Sequence, residues 1–394
     1  MIPLALYIHI PWCVKKCPYC DFNSHGLRAP MPEREYIAAL LADLDADLRD
    51  FGDAARGRQI ASVFFGGGTP SLFKPDSIAA ILDGAAARLN FARDCEITLE
   101  TNPGTVEHGR FDGYLRAGVN RISIGVQSFA DAELAALGRI HSAGEAEAAV
   151  KLAQDAGYTN INLDLMYALP RQTLAGALAD VEHAIALAPA HISHYQLTLE
   201  PGTPFAKRPP PLPTHDAAWD MQEACQSRLA AAGYAQYEIS AYAQPHRRCR
   251  HNVNYWEFGD YLGIGAGAHG KVTARGAGAP AIHRRWKIRS PRAYLQQAGT
   301  PQRLGGTETV APVQRPFEFM LNALRLNAGV PLASFSPRTG LPLEAIQAPL
   351  RLARANGWLV DDPDRLQTTA LGQRFLNDVI EAFMPPSPAQ HGHA

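Results

Sequence analysis

Cys13, Cys17 and Cys20 stand in the run HIPWCVKKCPYCDF, residues 9–22, with the spacing C-x3-C-x2-C. Three thiolates suit a cubane iron–sulfur cluster, whose fourth iron is then open to a non-protein ligand. A closed zinc site asks for a fourth protein ligand, and His9 or His25 could serve. Lys15 and Lys16 make the run an exposed loop that favours thiolates over inert buried thiols. Phe22, two positions beyond the third thiol, offers only apolar surface. Cys95, Cys225 and Cys249 are scattered, so a disulfide framework is not expected and a reducing, cytoplasmic setting is.

Gly66, Gly67 and Gly68 precede Thr69 and Pro70. Such a run lets backbone groups approach a small polar ligand closely, although a plain turn has the same composition. Glu100 can accept from an ammonium group, Arg139 can pair with a carboxylate, and Asp164 can accept from ribose hydroxyls. Each also has a plainer reading, as a solvated helix residue or a satisfied buried acid. Gln127 reads equally as a sheet-edge contact. Their placement together is what favours a ligand site.

The elements that must position them alternate. Ala5–Ile10, Ser62–Phe65, Glu96–Glu100, Arg121–Gln127, Asn160–Met166 and His191–Leu197 read as strands. Glu33–Phe51, Asp76–Leu89 and Gly144–Ala156 read as amphipathic helices between them. Strand–helix alternation predicts parallel pairing with right-handed crossovers. Chemistry-bearing residues fall at the C-terminal ends of successive strands, which predicts a partial (β/α)6 barrel with its site on that rim.

The expected organisation is this barrel over residues 1–200, then a proline-rich crossing segment and connecting α/β region over 201–311. A C-terminal helical, winged-helix-like domain follows over 312–385, with strands near 357–361 and 366–369 and a helix Leu371–Phe383. Residues 386–394 are expected to be a disordered tail. The chain has 394 residues, 46% hydrophobic and 19% charged, with a formal net charge of -1. This balance gives nucleic-acid binding no electrostatic support. No apolar run reaches 18 residues, so no transmembrane segment is expected.

Together with Tyr7, GGGTP, ETNP, IGVQSF (124–129), Gly138–Arg139 and DLMYALP (164–170), the cysteine run resembles the radical S-adenosylmethionine superfamily. More narrowly it resembles the coproporphyrinogen-oxidase-like branch. The resemblance implies a [4Fe-4S] cluster on Cys13, Cys17 and Cys20, with Tyr7 beside it. It implies S-adenosylmethionine (SAM) held by Gly67, Gly68 and Thr69 at the methionyl end, in a pocket lined by Glu100, Gln127, Arg139 and Asp164. Tyr19 belongs to the same cofactor-binding set. Within the branch, the oxygen-independent coproporphyrinogen III dehydrogenases of heme biosynthesis continue the motif to a fourth cysteine. The heme chaperones lack it and carry H-N-x-x-Y-W. Phe22 and His251–Trp256 (HNVNYW) both match the chaperones. That implies heme as cargo, heme-accepting proteins (membrane-associated ones among them) as partners, and no coproporphyrinogen decarboxylation. His251 is the candidate heme ligand, with a structural hydrogen-bonding role as its alternative. A homodimer is compatible with this reading, but no feature demands it.

Overall fold

The computed structural model describes residues 2–105, 110–274 and 280–385; the tail expected to be disordered lies outside them. Six parallel strands follow one another in chain order across a sheet: β1 (Leu4–Ile10), β2 (Gln59–Gly67), β3 (Asn90–Thr101), β4 (Arg121–Gln127), β5 (Ile161–Tyr167) and β6 (His191–Gln196). Helices Glu33–Phe51, Pro75–Ala86, Arg110–Arg116, Ala143–Asp155 and Leu174–Ala186 lie in the connections. This is the partial (β/α)6 barrel expected from the sequence.

Alternation along the strands sets its two faces. Leu4, Leu6, Ile8 and Ile10 of β1, Ile122, Ile124 and Val126 of β4, and Leu163 and Leu165 of β5 join the core shared with the helices. The Glu33–Phe51 helix supplies Tyr36, Leu40, Leu44 and Leu48 to that core. The intervening positions turn inward and are largely polar or aromatic. They include Tyr7, Ser62, Glu100, Ser123, Asp164 and Tyr195.

The sheet continues past the barrel on both sides. Two short strands, β7 (Ala235–Glu238) and β8 (Ala241–Ala243), pair antiparallel beyond β6. On the other side, β9 (Asp260–Ile264) pairs parallel with β1, and β10 (His269–Ala274), β11 (Ala281–Lys287) and β12 (Leu304–Thr309) follow antiparallel. The glycine-rich stretch around Ile264–Gly270 is the turn from β9 into β10. The amide of Gly265 donates there to the Tyr294 hydroxyl at 2.9 Å. A buried charge knot fixes the extension to the barrel. Lys287 Nζ bonds Asp43 and Asp47 of the Glu33–Phe51 helix, and Arg303 bonds both acids and Asp50.

The proline-dense segment 201–213 contains one helical turn, Pro204–Lys207, capped by the Thr203 hydroxyl. Proline density disfavours regular structure there, but three non-proline residues after Pro204 are enough for a single turn. A second core brings Phe319, Phe335, Ile346 and Leu350 of the C-terminal part against Tyr237, Phe258 and Ile282. Residues 357–361 do not form a strand. Only Leu359 bridges Thr368, while Arg365–Leu366 pairs with Val330–Pro331. The expected helix Leu371–Phe383 is two, Ala370–Arg374 and Leu376–Glu381. Phe375 between them takes φ -110 and ψ 36, outside the helical region.

Candidate cofactor site

The cysteine loop leaves β1 and returns on itself. Trp12–Cys13 pairs with His25–Gly26, and the Leu27 amide donates to the Cys13 carbonyl at 2.9 Å. All three thiols are partly exposed. The glycine run of β2 is bonded to the base of this loop: Gly68 N–H donates to Ile10 O and Thr69 N–H to Trp12 O, each at 2.7 Å. A Cβ on Gly68 would lie 2.4 Å from the Trp12 carbonyl oxygen. Gly67 has φ +112, and a Cβ there would meet the His9 ring at 2.4 Å. The neighbouring chain thus requires these glycines, whatever ligand approaches them.

A cavity of about 490 Å³ opens where these elements meet. Cys13, Cys17, Cys20, Tyr19, Gly67, Gly68, Thr69, Glu100, Gln127, Arg139 and Asp164 all line it. The Glu100 carboxylate accepts from the Gly67 amide at 3.1 Å. Burial, with the charge of Asp164 adding to it, pushes its carboxyl up to about 8. Burial also raises Asp164, which accepts from Ser123 Oγ at 3.1 Å and Asn162 Nδ2 at 2.9 Å. Gln127 closes β4 with φ 71 beside a break in the ladder, and its Oε1 accepts from Tyr195 OH at 2.8 Å. A non-glycine residue in that region stores strain on the order of 1–3 kcal/mol, as functional sites often do. Burial raises the Cys13 thiol.

Arg139 is not a free fork awaiting a carboxylate. Its Nη2 donates to Gly125 O at 2.6 Å and to Asn102 Oδ1, and its Nη1 faces Cys17 Sγ at 3.7 Å. The guanidinium therefore holds the ends of β3 and β4 against the cysteine loop. The proline-rich arm reaches the same loop, where Phe205 N–H donates to Pro18 O at 3.1 Å.

Two residues singled out from the sequence lie elsewhere. Tyr7 sits deeper on β1 than the thiols. Its hydroxyl bonds His9 Nδ1 at 2.9 Å, and its ring lines a second cavity of about 400 Å³. His251 is 3% exposed and lines neither cavity. It stacks on Phe64 with ring centroids 4.9 Å apart, and Nδ1 pairs with Ser62 Oγ at 3.3 Å. Burial lowers its pKa to about 3. An axial bond from this ring to heme iron would need the packed rings of Tyr7, Phe64 and Tyr255 to move. Tyr255 of the same HNVNYW run does reach the second cavity.

His9 and His25 are also engaged. His9 bonds the Tyr7 hydroxyl and the Asn23 carbonyl, and His25 bonds Asn23 Oδ1. Among the described residues, no group of three His, Cys, Asp or Glu side chains could hold a single metal ion. Ser123, Met166 and Tyr195 line the first cavity and were missed in the sequence. The inward alternation from Asp164 and Ser193 would have found Met166 and Tyr195.

A family model described as the radical SAM superfamily matches residues 7–184, and one for the HemN C-terminal domain matches residues 310–375. The chain is 50% identical to the heme chaperone HemW of Haemophilus influenzae and 51% to that of Escherichia coli. Each match spans 97% of this chain and 98% of the relative. It belongs to the HemW family. A mitochondrial radical S-adenosyl methionine domain-containing protein 1 from Bos taurus is 37% identical across 74% of this chain and 66% of its own. The solved coproporphyrinogen III oxidase (HemN) of Escherichia coli, a radical SAM enzyme, superposes with a TM-score of 0.80 over 97% of this chain and 90% of its own. At 23% identity, this likeness shows the fold alone. No helix among the described residues is long and apolar enough to cross a membrane.

Proposed function

We propose that this protein is a cytoplasmic heme chaperone carrying a [4Fe-4S] cluster and SAM, which binds heme and passes it to acceptor proteins. The observation that carries this reading is full-length identity of about half to HemW heme chaperones, joined to the thiols and glycine run on one cavity wall. The donor set fits the cluster. Three partly exposed thiols share one cavity, no fourth protein ligand joins them, and no single-ion site is formed among the described residues.

Cys13, Cys17 and Cys20 would hold the cluster. What it supplies when bound is an iron with an open position and a source of one electron. The chain's own residues do the rest. Gly67, Gly68 and Thr69 give a wall that a methionyl group can approach, and Glu100 accepts from an ammonium there. Asp164, oriented by Ser123 and Asn162, offers its carboxylate to ribose hydroxyls. Tyr19, Gln127 and Tyr195 fill the side of the cavity, and Arg139 keeps Cys17 in place. Phe22 is 59% exposed where a fourth cysteine would continue the dehydrogenase motif. A phenyl ring can neither bind iron nor donate a hydrogen atom readily, so coproporphyrinogen decarboxylation is not the activity proposed.

The test is anaerobic. Reconstituted protein with SAM and reductant is given hemin and an apo acceptor in one arm and coproporphyrinogen III in the other. Hemin uptake and transfer without protoporphyrinogen formation is the expected result. Multiple-turnover protoporphyrinogen formation would restore the dehydrogenase reading.

A further inference from the structure

The second cavity adjoins the first, with Asp21, Phe22, Gly67 and Glu100 forming a wall common to both. Its far side is built by the sheet extension, from His269, Trp286 and Arg289. His269 opens β10 directly opposite Trp286 on β11, and the two rings stack with centroids 6.1 Å apart and planes 22° off parallel. Cross-strand pairing thus presents an indole and an imidazole together on the cavity wall. Phe22 and Tyr255 add aromatic surface to the same cavity.

Heme asks three things of a seat: a flat apolar surface, a cation for its propionates, and an exchangeable axial donor. Most of the donors around this cavity are already committed. The Tyr7 hydroxyl and both His9 nitrogens are hydrogen-bonded, and Lys287 is locked to Asp43 and Asp47. His269 is exposed, and neither of its ring nitrogens has a hydrogen-bond partner among the described residues. Its pKa is lowered from the ordinary histidine value, by partial burial and then by Arg284 and Arg289, which favours the neutral ring that an axial bond needs. Arg289 is also exposed. Its Nε makes one long contact to Asn23 Oδ1 at 3.4 Å, and its Nη groups have no partner among the described residues.

We propose that this second cavity is the heme seat, with His269 the axial ligand, Trp286 against the macrocycle and Arg289 on a propionate. The proposal rests on the heme-chaperone reading above and names the site for its cargo. It also gives the HNVNYW run a part: Tyr255 lines the seat, and His251 packs behind it with ring centroids 5.1 Å apart.

Hemin titration of the full chain, followed by its Soret band, tests this. His269→Ala is expected to lose the wild-type band position and to weaken binding about tenfold or more. Added imidazole should restore the band in His269→Gly, which a merely structural role would not allow. Arg289→Ala should weaken binding of hemin but not of hemin dimethyl ester. His283→Ala, a histidine of β11 outside the cavity, should behave as wild type. Unchanged band and affinity in His269→Ala, with hemin still bound by the wild type, would overturn this seat and leave the chaperone reading intact. No hemin binding by the wild type would instead overturn the chaperone reading.

Discussion

The Glu100 carboxylate takes the Gly67 amide at 3.1 Å, and these two residues stand on the wall common to both cavities. One hydrogen bond therefore ties the glycine run, which packs on the cysteine loop, to the acid in the centre of the rim.

That acid makes stability depend on pH. The Glu100 carboxyl is raised from 4.5 to about 8, first by burial and then by Asp164. Below pH 4.5 both folded and unfolded chains hold its proton. Between 4.5 and about 8 the folded chain keeps a proton that the unfolded chain releases, so this group's contribution falls as pH rises. Glu100→Gln should therefore raise the Tm of cluster-free protein at pH 8.5 by at least about 2 °C and change it little at pH 5. The same variant should bind SAM more weakly after reconstitution. A Tm gain that is equal at both pH values would contradict the assignment.

Gly68→Ala is the sharpest test of the glycine run. Its Cβ would come within 2.4 Å of a carbonyl oxygen of the cysteine loop, where backbone and not a flexible side chain must yield. A cost of about 1–3 kcal/mol is expected, with displacement of Cys13. Thermal melts and the iron content after reconstitution should fall together, whereas Gly144→Ala, in open space on a helix, should lower neither.

Replacing Cys13, Cys17 or Cys20 by serine should abolish iron and sulfide retention after anaerobic reconstitution. Serine at Cys95, Cys225 or Cys249 should leave the iron count unchanged and lower Tm instead, because those thiols are buried away from the cavity. Stoichiometric zinc with no reconstitutable cluster would point to a different metal centre.

Lys287→Met should be strongly destabilising, because it leaves Asp43 and Asp47 buried with Arg303 as their remaining buried cation. Breaking such a buried pair costs about 3–5 kcal/mol. Since β11 carries Trp286, hemin affinity should drop in the same variant, and urea melts read alongside hemin titration check both.

The barrel was legible because its signal is local. β4 and the Glu33–Phe51 helix begin and end where alternation and helical spacing place them. The cysteine spacing and the glycine run likewise led to residues that line one cavity. What escaped depends on partners far along the chain. Arg139 reads as a free cation until Asn102 and Cys17 are seen beside it, and Tyr7, which the resemblance puts beside the cluster, lines the second cavity. His251, read as a candidate ligand with a structural hydrogen-bonding role as its alternative, packs between Phe64 and Tyr255 and bonds Ser62. Residues 357–361 have strand composition, but the ladder goes to Val330–Pro331.

The wall common to the two cavities gives their occupants a place to act on one another, and any such effect is thermodynamically reciprocal. If a molecule settling against Gly67 and Glu100 from one side alters affinity on the other by some factor, the second must alter the first by that factor. Filling the cofactor side could then set how tightly cargo is held, and discharge of cargo would be felt in return. Gly67 and Glu100, joined by one hydrogen bond on that wall, are where such an effect would pass.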